Sequence, residues 1–262
     1  MSKISDHIES INHSGKKALT IFLTAGYPSS NKFVDSAKAI IDSGADILEI
    51  GIPFGDSLAD GPVIQSSYYA AIEQGVNIKS VLKFVEEIKA ARGIPIIIMG
   101  SANPINNYGT KNFLDAAYDS GASGVIVPDI PIEEFDAFFE GTNDNIDKIL
   151  LTTPTSSEER IKRIDNASSG FVYCVSVVGT TGVRNNFDET VLKNLERTYS
   201  LVKKNKLQIG FGISSGEDVK RFRKFCDGVI VGSAVVKTLN QENANEKTKV
   251  LIRELSDSCI IK

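Results

Sequence analysis

Histidine is nearly absent: the 262-residue chain carries two, His7 and His13, both in its first fifteen positions. A Ser-His-Asp triad, a Cys-His pair or a His-rich metal site deep in the chain is not expected. Cysteine is scarce as well. Cys174, Cys226 and Cys259 are far apart and odd in number, so neither a disulfide framework nor a Cys-x-x-Cys metal site fits. No apolar run approaches the roughly 18 residues that cross a bilayer. Residues 1–7 lack the apolar stretch of a signal peptide, so a cytoplasmic location is expected. There is no basic excess either: 29 Lys and Arg stand against 33 Asp and Glu, a net charge of -4. A nucleic-acid binder would usually show the opposite balance. Any acid–base chemistry must rest on Asp, Glu, Lys or Tyr.

What is present is core-forming material. Hydrophobic residues make up 42% and charged residues 24%, which excludes a disordered chain. Short β-branched runs alternate with longer amphipathic ones. Eight strands are expected, over residues 18–24, 45–51, 94–99, 124–127, 148–152, 170–175, 207–211 and 228–232. Between them apolar residues recur at helical spacing, as in Ile78, Val81, Leu82, Val85 and Ile88. Ser156-Ser157-Glu158-Glu159 offers a capping-box start, and residues 244–255 read as a closing helix. Near-continuous apolar strands predict a parallel sheet buried on both faces. Eight β–α alternations predict an α/β fold, a closed (β/α)8 TIM barrel over residues 1–262. Extra helices are expected at the N-terminus (6–13) and after the second strand (62–74). An open doubly wound sheet is the alternative.

In such barrels chemistry gathers at the C-terminal ends of the strands. Glu49 lies near that end of the second strand, within an apolar run, and the loop behind it supplies Asp56 and Asp60 before Pro62 opens a helix. A buried Glu has a raised pKa and can act as acid and base near neutrality, while a more solvated Asp60 stays ionised. The same pattern also suits a paired core acid and a helix cap. The last three strands end in glycine: Gly179 and Gly182, Gly210 and Gly212, then Gly232-Ser233-Ala234. Glycine lets backbone N–H groups approach an anion, and Ser233-Ala234 can open a short helix whose N-terminus favours negative charge. Tight turns alone would use the same glycines. Lysine argues against a Schiff-base aldolase, because Lys148 and Lys206 fall at strand entrances and Lys237 beyond the eighth strand. Asp129 either points into the mouth or caps the next helix. Phe22, Ile64 and Tyr173 suit either a pocket or the core.

Several stretches, in order over nearly the whole chain, resemble the tryptophan synthase alpha subunit family. They include Thr24-Ala25-Gly26-Tyr27-Pro28, Leu48-Glu49-Ile50-Gly51-Ile52-Pro53-Phe54 and Leu58-Ala59-Asp60-Gly61-Pro62-Val63-Ile64-Gln65. Asn103-Pro104, Val127-Pro128-Asp129-Ile130-Pro131, Gly170-Phe171-Val172-Tyr173 and Thr181-Gly182-Val183-Arg184 follow. Gly210-Phe211-Gly212-Ile213-Ser214 and Asp227-Gly228-Val229-Ile230-Val231-Gly232-Ser233-Ala234 complete the set. The resemblance implies cleavage of indole-3-glycerol phosphate to indole and glyceraldehyde 3-phosphate. It makes Glu49 the group that protonates indole C3 and deprotonates the side-chain hydroxyl, and Asp60 the acceptor of the indole N–H. It sets the phosphate against Gly182, Gly212, Gly232 and Ser233, with Phe22, Ile64, Tyr173 and Phe211 bordering the substrate. Thr181 would belong to a loop that closes over the site and orients Asp60.

The resemblance also implies a beta-subunit partner in an alpha2-beta2 heterotetramer, contacted through Pro53, Asp56, Asn103 and Pro104. Pyridoxal phosphate would belong to that partner, and no cofactor or metal to this chain. Two departures stand out. The family's Pro-Phe-Ser-Asp-Pro is here Pro53-Phe54-Gly55-Asp56-Ser57, which is expected to loosen the loop. The family's Tyr before Asn-Pro is missing from Met99-Gly100-Ser101-Ala102-Asn103-Pro104, which enlarges the indole pocket. These departures keep an alternative open, a weakly active subunit that activates a beta partner. A different phosphate-binding barrel enzyme, such as an isomerase, is a third.

Overall fold

The computed structural model describes residues 3–57, 60–175, 189–210 and 212–261. Its strands are β1 (Ala18–Thr24), β2 (Ile47–Gly51), β3 (Ile96–Met99), β4 (Gly124–Ile126), β5 (Asp147–Ile149), β6 (Leu151–Thr152), β7 (Phe171–Val175), β8 (Lys206–Gly210) and β9 (Gly228–Val231). All pair in parallel, in the order β5-β4-β3-β2-β1-β9-β8-β7-β6. Only Leu150 separates β5 from β6, and its carbonyl accepts the Tyr173 N–H at 3.0 Å, so residues 147–152 together hold the closing position of an eight-position barrel. The expected strand 148–152 is divided because serine hydroxyls take its amides: Lys148 N–H donates to Ser169 Oγ at 2.9 Å and Leu150 N–H to Ser168 Oγ at 3.3 Å.

The period-two alternation of a strand sorts the core into two layers. From β1, Leu19, Ile21 and Leu23 join the layer beneath the helices, whereas Ala18 and Phe22 join Ile47, Ile97, Ile126, Ile149, Phe171 and Ile230 inside the barrel. The helices are α1 (Lys3–His13), α2 (Phe33–Asp42), α3 (Pro62–Glu73), α4 (Ile78–Ala91), α5 (Ala102–Tyr108), α6 (Thr110–Asp119), α7 (Phe135–Phe138), α8 (Glu158–Ala167), α9 (Glu189–Leu201), α10 (Gly216–Phe222), α11 (Ser233–Leu239) and α12 (Ala244–Ser258).

Two of them shape the ends of the barrel. On α1, Ile4 and Ile8 are fully buried in the interior cluster, and a His7 ring nitrogen lies 3.0 Å from the Asp46 carbonyl just before β2. This helix therefore closes the N-terminal end. At the other end α3 begins with Pro62 at its first position, where proline's missing N–H costs nothing. Its Ile64 and Tyr68, one turn apart, face the interior together. Helix α4 shows how the outer layer is set. Asn77 caps it by accepting the Ser80 N–H, and Val81, Val85 and Ile88 are buried on one stripe. Each such side chain contributes about 1.5–3 kcal/mol.

Two local expectations change. Ser157, not Ser156, caps α8, and its third helical residue is Arg160, so no reciprocal box forms there. A complete capping box stands instead at Ser215 and Asp218, opening α10. Asp129 caps α5 across space: both of its oxygens accept the Ala102 N–H, at 2.9 and 3.1 Å.

Candidate active site

Glu49 sits on the inward face of β2 between Ile47 and Gly51, in register with Phe22 of β1 and Ile97 of β3. It is 1% exposed, and among the described residues its Oε2 has no hydrogen-bond partner. Burial, reinforced by the nearby Asp60 charge, pushes its carboxyl up to about 8. The group is therefore protonated at neutrality yet able to ionise within the working range of an acid–base catalyst.

Asp60 lies at the end of the loop after β2 and is 6% exposed. Burial raises its pKa, and a hydrogen bond from Ser57 Oγ to its Oδ2 opposes that rise. Gln65 on α3 fixes the loop's backbone: its Nε2 donates to the Ser57 carbonyl at 3.1 Å and to the Asp60 carbonyl at 2.9 Å. Tyr69 adds a third tie, donating to the Gly55 carbonyl at 2.8 Å. The loop expected to be loosened by Gly55 and Ser57 is thus held at both of those residues.

Glycines at strand ends make room for the aromatic walls. A β-carbon on Gly51 would meet the Phe22 ring at 2.7 Å and the Tyr68 hydroxyl at 2.8 Å. One on Gly210 would collide with Tyr173. The resulting cavity encloses about 570 Å³, its open mouth included, and is lined by Phe22, Glu49, Asp60, Ile64, Met99, Tyr173, Gly212, Ile213, Ser214, Ile230, Gly232, Ser233 and Ala234. Because β9 and β8 follow β1 in the sheet, the glycine-rich residues lie across β1 from Glu49. Gly212 there has φ +83°, a conformation that glycine adopts without strain. Ser233 opens α11, where first-turn N–H groups lack intrahelical acceptors. Among the described lining residues there is no Lys or Arg, and the groups at that end suited to an anion are backbone N–H groups and the N-terminus of α11.

The structure therefore brings together Glu49, Asp60, Phe22, Ile64, Tyr173, Gly212, Gly232 and Ser233. The other expected contacts, Thr181, Gly182 and Phe211, lie outside the described residues. Pro53 and Pro104 line one surface groove together with Ile52, Val76, Ile78 and Tyr108, while Asp56 and Asn103 are exposed beside it. Lys148 pairs with Asp144 at 3.0 Å and Lys206 with Glu9 at 3.5 Å, so neither serves the cavity. Among the described residues no cluster of three His, Cys, Asp or Glu could hold a metal, and no helix is long and apolar enough to cross a membrane. Sequence reasoning missed Ser57 as a partner of Asp60. It also missed Tyr68, although its spacing of four from Ile64 was available as a signal.

A parallel barrel whose mouth holds a buried carboxyl pair beneath aromatic walls defines a TIM-barrel acid–base enzyme. The family model for the tryptophan synthase alpha chain matches residues 8–259. The alpha chain of Petrotoga mobilis is 40% identical over 255 residues, covering 96% of this chain and 95% of that one. The alpha chain of Prochlorococcus marinus is 42% identical over 252 residues, covering 95% and 89%. Among solved structures, Mycobacterium tuberculosis tryptophan synthase superimposes with a TM-score of 0.90 at 31% identity, covering 100% of this chain and 99% of that one. The alpha subunit from Legionella pneumophila gives 0.87 at 31% identity, covering 99% and 98%. The chain belongs to the tryptophan synthase alpha chain family. That membership removes the isomerase alternative.

Proposed function

We infer that this chain cleaves indole-3-glycerol phosphate to indole and glyceraldehyde 3-phosphate, as the alpha subunit of a tryptophan synthase. The observation that carries the mechanism is Glu49, a buried carboxyl with an unpartnered oxygen beside Asp60 in the cavity. Protonated at the start, Glu49 gives its proton to ring carbon C3. The resulting carboxylate takes the proton of the side-chain hydroxyl on the carbon next to C3. The bond between those two carbons breaks, its electron pair restores the indole ring, and the hydroxyl carbon becomes the aldehyde of glyceraldehyde 3-phosphate. Glu49 ends as it began, and no water is consumed. Protonating C3 places positive charge toward the ring nitrogen, where the Asp60 carboxylate accepts the N–H.

In this reading Phe22, Ile64 and Tyr173 flank the indole. The phosphate rests on the amides of Gly212, Gly232 and Ser233. The chain docks on a pyridoxal-phosphate beta subunit through the 53–60 loop and the 103–107 segment, which brings Pro53, Asp56, Asn103 and Pro104 to the interface. The cofactor belongs to that partner. A second reading, an activating subunit with little chemistry of its own, rests on Gly55 and Ser57. The hydrogen bonds from Tyr69 to Gly55 and from Ser57 to Asp60 favour the catalytic reading.

The test is indole release from indole-3-glycerol phosphate, with and without a beta subunit. Glu49→Gln is expected to lower kcat about 10³-fold and Asp60→Asn about 10²-fold, with substrate binding kept. Unchanged release by Glu49→Gln overturns the mechanism. Stimulation of the beta subunit with no release by the wild-type chain would select the second reading.

A further inference from the structure

Ser57 is nearly as buried as the carboxylate it touches, 8% exposed against 6% for Asp60. Its hydroxyl donates to Asp60 Oδ2, and a single side-chain amide, that of Gln65, holds the backbone carbonyls of both residues. The pair therefore cannot drift apart without releasing α3. A hydroxyl donor suits an ionised carboxylate better than a neutral one, and in a buried setting such charge-assisted bonds are the strong ones.

We propose that Ser57 is a positioning residue for the reaction: its hydroxyl fixes one oxygen of Asp60, leaving the other oxygen to accept the indole N–H. The inference rests on the reading of Asp60 given above. It gives a role to a position where the family's motif carries proline, a residue with no hydroxyl to offer. Among the described residues, the titratable groups coupled to Asp60 are Glu49 of β2, Tyr68 of α3 and Tyr173 of β7, none of them cationic at neutrality. Burial works against the carboxylate, and the Ser57 hydroxyl works for it. Among the described residues lining the cavity there is no Lys or Arg to take its place.

The experiment compares the full-length wild-type chain with Ser57→Ala, Ser57→Thr and Ser57→Pro, alongside Asp60→Asn. Indole release is followed from pH 5 to 9, and folding is checked by circular dichroism. Ser57→Ala and Ser57→Pro are expected to lower kcat at neutral pH about tenfold and to move the acid limb of the kcat profile upward by about one pH unit. KM is expected to change less than kcat. Ser57→Thr, which keeps the hydroxyl, is expected to restore both the rate and the limb. An unmoved acid limb in Ser57→Ala, or a Ser57→Thr variant as impaired as Ser57→Ala, overturns the proposal. Should Ser57→Ala fail to fold, the Ser57→Thr and Ser57→Pro profiles decide the matter by the same criteria. If Asp60→Asn itself keeps full activity, the underlying reading of Asp60 has failed; if it is inactive while Ser57→Ala is normal, only the role of Ser57 has.

Discussion

Where a β-carbon on Gly210 would stand, the hydroxyl and ring edge of Tyr173 already do. The two residues come from adjacent strands, β8 and β7, and the missing side chain on one lets the ring of the other form a wall of the cavity. Gly210→Ala is expected to displace Tyr173. Overpacking of this kind costs about 1–3 kcal/mol, so thermal unfolding should shift downward. KM for indole-3-glycerol phosphate should rise together with it. A variant with unchanged KM would show that Tyr173 does not border the substrate.

Glu49 also couples the site to stability. Its folded pKa stands near 8 against an ordinary 4.5. Between those values the unfolded chain releases a proton that the folded chain retains, so stability falls as pH rises from about 4.5 to 8 and levels above that. Glu49→Gln removes this slope. In urea titrations the variant should gain on the wild type between pH 5 and pH 9, by about 4 kcal/mol. Identical pH dependence of the two proteins would contradict the burial of an unpaired carboxyl.

Asp165 of α8 tests a purely structural role. It is 4% exposed and its carboxylate accepts the backbone N–H groups of Lys203, Lys204 and Asn205 at 2.7, 2.8 and 3.0 Å. Asp165→Ala leaves those donors unsatisfied ahead of β8. A loss of about 2–4 kcal/mol is expected, measured by chemical unfolding, with kcat preserved below the transition. A stable variant would mean that water replaces the carboxylate freely.

Asp129 links the barrel to the proposed partner face. It caps α5, which carries Asn103 and Pro104. Asp129→Ala should cost about 1 kcal/mol and weaken stimulation of indole release by a beta subunit, while release by the isolated chain stays near normal. Equal stimulation of the variant and the wild type would separate α5 from the docking surface.

Which of these features could be read from the sequence follows from the range of the interactions that create them. The strand Ala18–Thr24 has the bounds expected from its apolar run, buried at every position, and the helix Ile78–Ala91 covers the residues whose helical spacing predicted it, because one stripe of them packs on the barrel. Glu49 was legible for the same reason, as a charged residue on an apolar strand. Helix α5 was not, since only Ile105 of its residues is buried and no period forms. The break between β5 and β6 depends on Ser168 and Ser169, some twenty positions further on. Asp129 capping Ala102 spans 27 residues and Gln65 clamping Ser57 and Asp60 requires the folded loop. Contacts of this kind carry no local pattern.

Glu49 is held protonated at neutrality and ionises within the catalytic pH range. Carbon-13 NMR of the glutamate side-chain carboxyls, with Glu49→Gln to assign the resonance, measures it directly. A resonance titrating near 8, in step with the base limb of the kcat profile for indole release, is the expected result. A Glu49 that titrates near 4.5, in the ordinary carboxylate range, would contradict the assignment of this residue as the proton donor.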